Sequence, residues 1–218
     1  MKVLIVAAGE GVRWQNYRNV PKHIVEVEGQ VLLHRTYAQF KRYTDNIVIV
    51  STDPRYAIGQ TYAPLIGEFF DFGKIYSSYP IWDEERTIIV FGDVYFTDEA
   101  VDTIMSETHD FKFFLRKDKS SYTGKKHKEI FALAFNGGMN QRIKSSIEIL
   151  IERKIGAPGA WRLYLHLHGL DNAKSGFYNT DGYVHIDDWT EDFDYPDDLI
   201  KWEKMRKIKS RYGDGMLK

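Results

Sequence analysis

Cysteine is absent from the 218-residue sequence. Disulfide staples, thiolate-ligated zinc and thiol nucleophiles are thereby excluded, and a reducing cytoplasm is the expected location. An excess of either charge is also missing: 30 Lys and Arg against 31 Asp and Glu give a formal net charge of −1. No global basic field marks the chain for nucleic acid, so no nucleic-acid partner is expected. Long apolar runs are lacking too. The opening MKVLIVAAGEG is too short for a secretory core segment, and nothing approaches the length that spans a bilayer, so no membrane partner is expected. No internal repeat or low-complexity linker divides the chain, and one domain over 1–218 is the simplest count. What is present is ordinary for a globular protein: 43% hydrophobic and 28% charged residues. Aromatics reach 15%, enough that many must be buried or line a pocket.

Apolar runs bounded by turn residues predict buried strands at KVLIVAA (2–8), NIVIVS (46–51) and TIIVFGD (87–93), with further strands at 111–116, 129–135 and 182–187. Between them, helical spacing places Leu33, Thr36, Tyr37 and Phe40 on one face, and Ile143, Ile147, Leu150 and Ile151 on another. A less regular helical stretch is read after Asp53-Pro54, a helix over 97–109 with Thr97 as N-cap, a shorter one at 161–168, and a last one entered at Pro196. Strands alternating with helices argue an α/β fold, a layered α/β/α arrangement around a mostly parallel mixed sheet. Loop 117–128 and segment 154–181 read as excursions that shape a pocket.

The run AAGEGVRWQNYRNVPKH (7–23) follows the first strand. Glycines after a strand let backbone N–H groups approach an anion. A P-loop is excluded, because no Gly-Lys pair in the chain is followed by Ser or Thr. A dinucleotide fingerprint lacks its third glycine, since Trp14 stands where it belongs. The third option fits: Ala7, Ala8, Gly9, Gly11, Arg13, Pro21 and Lys22 together resemble the AAG-x-G-x-R…PK signature of the nucleotidyltransferase family with a GT-A-like fold, typified by sugar-1-phosphate nucleotidyltransferases. The resemblance continues through VEVEGQVLLHRT (25–36), with Val31 in place of the usual proline.

The physical reading agrees with that likeness. Backbone at Ala7, Ala8, Gly9, Glu10 and Gly11 would wrap a nucleoside triphosphate, with Arg13 as a planar fork and Lys22 as a point charge on its phosphates. The resemblance implies a metal site as well. Asp93, at the end of the third strand, matches the family's strand-end Gly-Asp, and Asp194 in DYPDDL (194–199) matches its late D-T-P-E-D-L element, with Tyr195 for the usual threonine. Asp192 is an alternative to Asp194, since both would share one face of a strand. Asp93 and Asp194 would hold one Mg²⁺, which is normally bound by one or two carboxylates plus substrate phosphates. Asp197 and Asp198 are read as first-turn acids that suit the helix dipole.

The implied activity joins a nucleoside triphosphate to a sugar 1-phosphate, giving a nucleotide sugar and pyrophosphate. Two alternatives stay open: a cytidylyltransferase acting on a non-sugar phosphate, and a glycosyltransferase of the same kind of fold that consumes a nucleotide sugar. A further possibility is a silent binding module, because fold does not determine function. His166, His168 and His185 are read as packing or surface groups rather than metal ligands. The basic loop 117–128 is read as a solvated hairpin, with contact of its lysines to a phosphorylated substrate as the alternative, and the basic stretch after residue 200 as a wet helix face. Asn136-Gly137-Gly138 reads either as a sugar contact near the pocket or as a plain turn. Trp161, Tyr164, Tyr178 and Tyr183 are candidates to wall the acceptor pocket, with the core as the commoner fate of such residues. Oligomeric state is not legible.

Overall fold

Residues 1–9, 11–64, 70–126, 128–153, 160–171 and 181–212 are described by the computed structural model. Glu10 and Tyr178, and most of the 154–181 segment, lie outside these residues. The chain begins with β1 (Lys2–Val6), the hairpin β2 (Glu26–Val27) and β3 (Gln30–Val31), α1 (Leu32–Lys41), β4 (Ile47–Val50), β5 (Gln60–Tyr62) and α2 (Phe70–Ser77). It continues through β6 (Arg86–Phe91), β7 (Val94–Tyr95), α3 (Asp98–Ser106), β8 (Phe111–Arg116) and β9 (Glu129–Asn136). Last come α4 (Asn140–Glu152), α5 (Ala160–Leu167), β10 (Tyr183–His185), β11 (Glu191–Asp192) and α6 (Pro196–Tyr212).

Seven strands form one sheet in the order β10-β8-β9-β6-β1-β4-β5. Only β9 runs against its neighbours; the other pairings are parallel. Side chains alternate between the two faces, as the strand repeat demands. Val3 and Ile5 of β1 face a core shared with Leu33 and Phe40 of α1 and with Ala100, Val101 and Ile104 of α3. Leu4 and Val6 face the opposite core, with Ile75 of α2, Ile143 and Ile147 of α4, and Leu163 and Leu165 of α5. The expected three layers are therefore present. Thr97 caps α3 by accepting the Ala100 N–H at 3.0 Å, as its position predicts.

One reading changes. After Asp53-Pro54 there is only a 3-10 turn, Pro54–Tyr56, capped by Asp53, before the chain enters edge strand β5. The small ladders β2/β3 and β7/β11 carry too few residues for any periodicity. The first of them turns on Glu28 and Gly29, both at positive φ (52° and 77°), the geometry of a two-residue type I′ hairpin.

A third core cluster lies outside the sheet and joins distant parts of the sequence. Trp14, Val25, Val27 and Leu32 pack there with Tyr95, and with Trp189, Phe193, Leu199 and Trp202 from the end of the chain. This cluster sits beside the carboxyl ends of β1 and β6. At β1 the strand order also reverses, since the chain builds β4 and β5 on one side and then returns to β6 on the other. Open α/β sheets place ligands in the crevice at such a point.

Candidate active site

The loop after β1 is held by its own tryptophan. Trp14 is 1% exposed, and its indole N–H donates to the Val20 carbonyl at 2.9 Å. The position that a dinucleotide fingerprint would give to glycine is thus an anchor in the third cluster. Gly11 lies at φ +64°, where a side chain would be strained. Pro21 then leads into the 3-10 turn Lys22–Ile24, which turns Lys22 and His23 inward, 8% and 2% exposed.

The carboxylates arrive from two strand ends. Asp93 follows β6 at the turn into β7. Antiparallel pairing of β7 with β11, Glu191 opposite Tyr95 and Asp192 opposite Val94, brings the late acidic segment alongside it. The Phe193 N–H closes this junction on the Asp93 carbonyl at 3.2 Å. As a result Asp93, Asp192 and Asp194 each offer a carboxylate oxygen within 4.8 Å of the others. Asp192 is therefore a third member of the group, where the sequence offered it as a substitute for Asp194.

The cations predicted from the loop converge on the same carboxylates. The Lys22 ammonium is paired with Asp93 and lies 3.2 Å from Asp194 Oδ1. Arg13 meets Asp194 with both nitrogens of its fork, at 2.7 and 2.8 Å. Its guanidinium also lies 5.5 Å from the centre of the Tyr195 ring, the residue in place of the family's usual threonine. Burial alone would raise the Asp93 carboxyl, but Lys22 draws it down to about 2. Burial would lower the Lys22 ammonium, yet Asp93, Asp192 and Asp194 hold it above its ordinary range. Asp192 goes the other way: burial, then repulsion from Glu129 and Asp93, pushes it well above the usual carboxylate range.

Lys125, in the loop read as a solvated hairpin, is part of this centre. Its side chain is 10% exposed and its ammonium lies 3.0 Å from the Asp192 carbonyl, 3.2 Å from Glu129 and 3.4 Å from the Asp192 carboxylate. Glu191 and Asp198 follow at 3.7 Å. The loop folds back because several poorly solvated acids need a counter-charge. Glu191 is also paired with Arg116 at 2.7 Å, both side chains 1% exposed. Asp198 serves as the expected helix-start acid, accepting the Tyr195 N–H at 2.9 Å, and reaches the cavity as well, whereas Asp197 is exposed.

A cavity of about 650 Å³ opens over this cluster, lined by Gly9, Arg13 and the three aspartates together with Lys128, Glu129 and Trp161. Trp161 is in the wall, as proposed from sequence, while Tyr164 is fully buried in the core and Tyr183 packs against that core. Asn136-Gly137-Gly138 is not near the cavity. β9 is antiparallel, so its Glu129 end reaches the site while Asn136 pairs with Arg86 at the start of β6, on the opposite edge. A Cβ on Gly137 would overlap the Glu84 backbone, so that glycine is required by packing. His166 pairs with Asp171 at 2.9 Å and His168 packs against Tyr164, in line with structural roles. Among the described residues the three aspartates are the only group spaced to hold a metal ion. Their donors are all carboxylate oxygens, the hard set that suits Mg²⁺.

No family sequence model matches the chain, and no curated protein sequence is significantly similar to it. Solved structures do match. CTP:phosphocholine cytidylyltransferase from Streptococcus pneumoniae superposes with a TM-score of 0.61 at 14% identity, covering 94% of this chain and 98% of that one. The inositol-1-phosphate CTP transferase of T. maritima gives 0.59 at 17%, covering 95% and 96%. The 4-diphosphocytidyl-2C-methyl-D-erythritol synthase of Anaerococcus prevotii gives 0.59 at 15%, covering 94% and 97%. The chain has the nucleotidyltransferase fold.

Proposed function

We propose that this protein is a nucleotidyltransferase that joins a nucleoside triphosphate to a phosphorylated acceptor, a sugar 1-phosphate by first choice, with release of pyrophosphate. The observation that carries the reading is the meeting of Arg13 and Lys22 with Asp93 and Asp194 at the carboxyl ends of β1 and β6. Four side chains spread over the chain meet at one cavity, and a triphosphate with its cation would use all four.

In the proposed reaction the backbone N–H groups around Gly9 and Gly11 cradle the phosphates. Arg13 and Lys22 transfer part of their bonding from carboxylate to phosphate, where they stabilise charge that builds on the α-phosphoryl group and on departing pyrophosphate. Asp93 and Asp194, with Asp192 beside them, would hold Mg²⁺, which supplies charge neutralisation and orients the triphosphate for in-line attack. The attacking acceptor phosphate is already ionised near neutral pH. A general base is unnecessary, and positioning carries the rate.

The acceptor side of the cavity decides between a sugar phosphate and another phosphate ester. The non-sugar alternative has support of its own, since one similar structure is a CTP:phosphocholine cytidylyltransferase. A pyrophosphate-release assay with Mg²⁺, crossing nucleoside triphosphates with sugar 1-phosphates and phosphocholine, tests the reading. Turnover is expected for at least one pairing, and Asp93→Ala and Arg13→Ala should each lower kcat/KM by roughly 100-fold or more. Release that persists in both variants removes the site assignment. Transfer from a finished nucleotide sugar without pyrophosphate moves the protein to the glycosyltransferases.

A further inference from the structure

Lys74 belongs to no motif, yet it reaches the phosphate loop. It lies in α2, whose next residue, Ile75, is 3% exposed in the core. The helix end is fixed on both sides: Tyr76 donates to Glu148 at 2.8 Å, and the Tyr62 hydroxyl donates to the Ser77 carbonyl at 2.9 Å. This anchoring aims Lys74 into the cavity, where it lines the wall with Gly9, His23 and Asp93. A Cβ on Gly9 would lie 3.9 Å from the Lys74 ammonium, 3.9 Å from Lys22 Cε and 3.8 Å from the His23 ring. Gly9 thus passes beneath the Lys74 ammonium and the Lys22 side chain, and an anion on its backbone meets Lys74.

The cations around Gly9 differ in their state. Lys22 and Arg13 are already neutralised by Asp93 and Asp194, whereas Lys74 has no ion pair or hydrogen bond from its ammonium among the described residues. A nucleoside triphosphate stays anionic even with a divalent ion bound. Charge balance in the occupied cavity therefore needs a positive group beyond the Arg13, Lys22, Asp93 and Asp194 set. Lys128 also lines the cavity, next to Glu129, whereas the ammonium beside Gly9 is that of Lys74.

Resting on the nucleotidyltransferase reading, we infer that Lys74 is a third phosphate-binding cation, one that engages the triphosphate of the nucleotide over Gly9. It stabilises the bound nucleotide and the departing pyrophosphate, and it has no part in holding the acceptor.

Calorimetric titration of the full chain with pyrophosphate, and separately with glucose 1-phosphate, both in Mg²⁺, tests this. Lys74→Gln should weaken pyrophosphate binding by about tenfold, while Lys74→Arg should stay within about threefold of wild type, as expected for one charge-assisted contact. Glucose 1-phosphate binding should be the same in all three proteins. Wild-type affinity for pyrophosphate in Lys74→Gln overturns the inference, and so does a loss confined to glucose 1-phosphate. Failure of Lys74→Arg to restore affinity overturns it as well, because the charge is then not what matters. If the wild type binds neither pyrophosphate nor any nucleoside triphosphate, the nucleotidyltransferase reading itself fails, a result distinct from a Lys74 variant that binds normally.

Discussion

His23 shows how far a residue's chemistry is set by what surrounds it. Its ring is buried against Gly9 and Gly92, with Nδ1 3.2 Å from the Tyr56 hydroxyl. Burial, then the charges of Lys22 and Lys74, hold the imidazole at about 4 against an ordinary 6.5, even though Asp93 and Asp53 act in the other direction. The folded state therefore binds fewer protons than the unfolded chain between these values. Its contribution to stability is complete above pH 6.5 and is lost as pH falls through 4, amounting to about 3 kcal/mol. Urea unfolding of wild type and His23→Gln across this range should show curves that converge as pH falls; parallel curves would contradict the account. In the sequence His23 was only the residue after Pro-Lys. Arg13, Lys22, Asp93 and Asp194 were legible because a contiguous motif or a strand-end position marks each one. His23, Lys74 and Lys125 were not, because their roles come from neighbours far along the chain.

At the scale of elements, the long strands and helices were readable because each repeats an apolar pattern over several residues. The elements that place the site are the ones without a pattern. β7 and β11 are two residues each, and their pairing spans about a hundred residues of sequence, yet it helps bring Asp192 and Asp194 to Asp93. Loop 117–128 is the clearest case, since a run of lysines between two strands has the composition of a wet hairpin. Lys125 departs from that expectation because Glu129, Glu191, Asp192 and Asp198 all face it. Removing one partner from a buried ionic group leaves the rest uncompensated, which is costlier than the group's net value. Lys125→Met is expected to lose about 3 kcal/mol in urea unfolding at neutral pH. The loss should shrink in acid, since burial, with repulsion from neighbouring carboxylates, already pushes Asp192 and Glu129 toward protonation. A loss independent of pH would mean that Lys125 acts through packing alone.

The whole molecule assembles the site from its two ends. The third core cluster packs Trp14 and Val25 against Trp189 and Trp202, and the Trp202 indole N–H donates to the Trp189 carbonyl at 2.9 Å. Arg18 adds a bond to Glu203 at 3.1 Å. Loop residues 11–22 and the segment before α6 are therefore tied together through this cluster, which sets Arg13 and Lys22 beside Asp194. That coupling makes a sharp demand on energetics. If Asp93 and Asp194 act on one ion and one triphosphate, removing either disables the same function, so the second removal has little left to take away. Their effects on kcat/KM for pyrophosphate release should then be strongly non-additive, with Asp93→Ala/Asp194→Ala scarcely slower than the worse single variant. Two carboxylates with separate tasks would instead multiply, each single loss appearing in full in the double variant. Asp194→Ala also frees Arg13 and one side of Lys22, so its melting temperature must be measured beside Asp93→Ala to separate lost ion pairing from lost catalysis. A multiplicative cycle in folded variants would show that the two acids do not share a ligand, however close their oxygens lie.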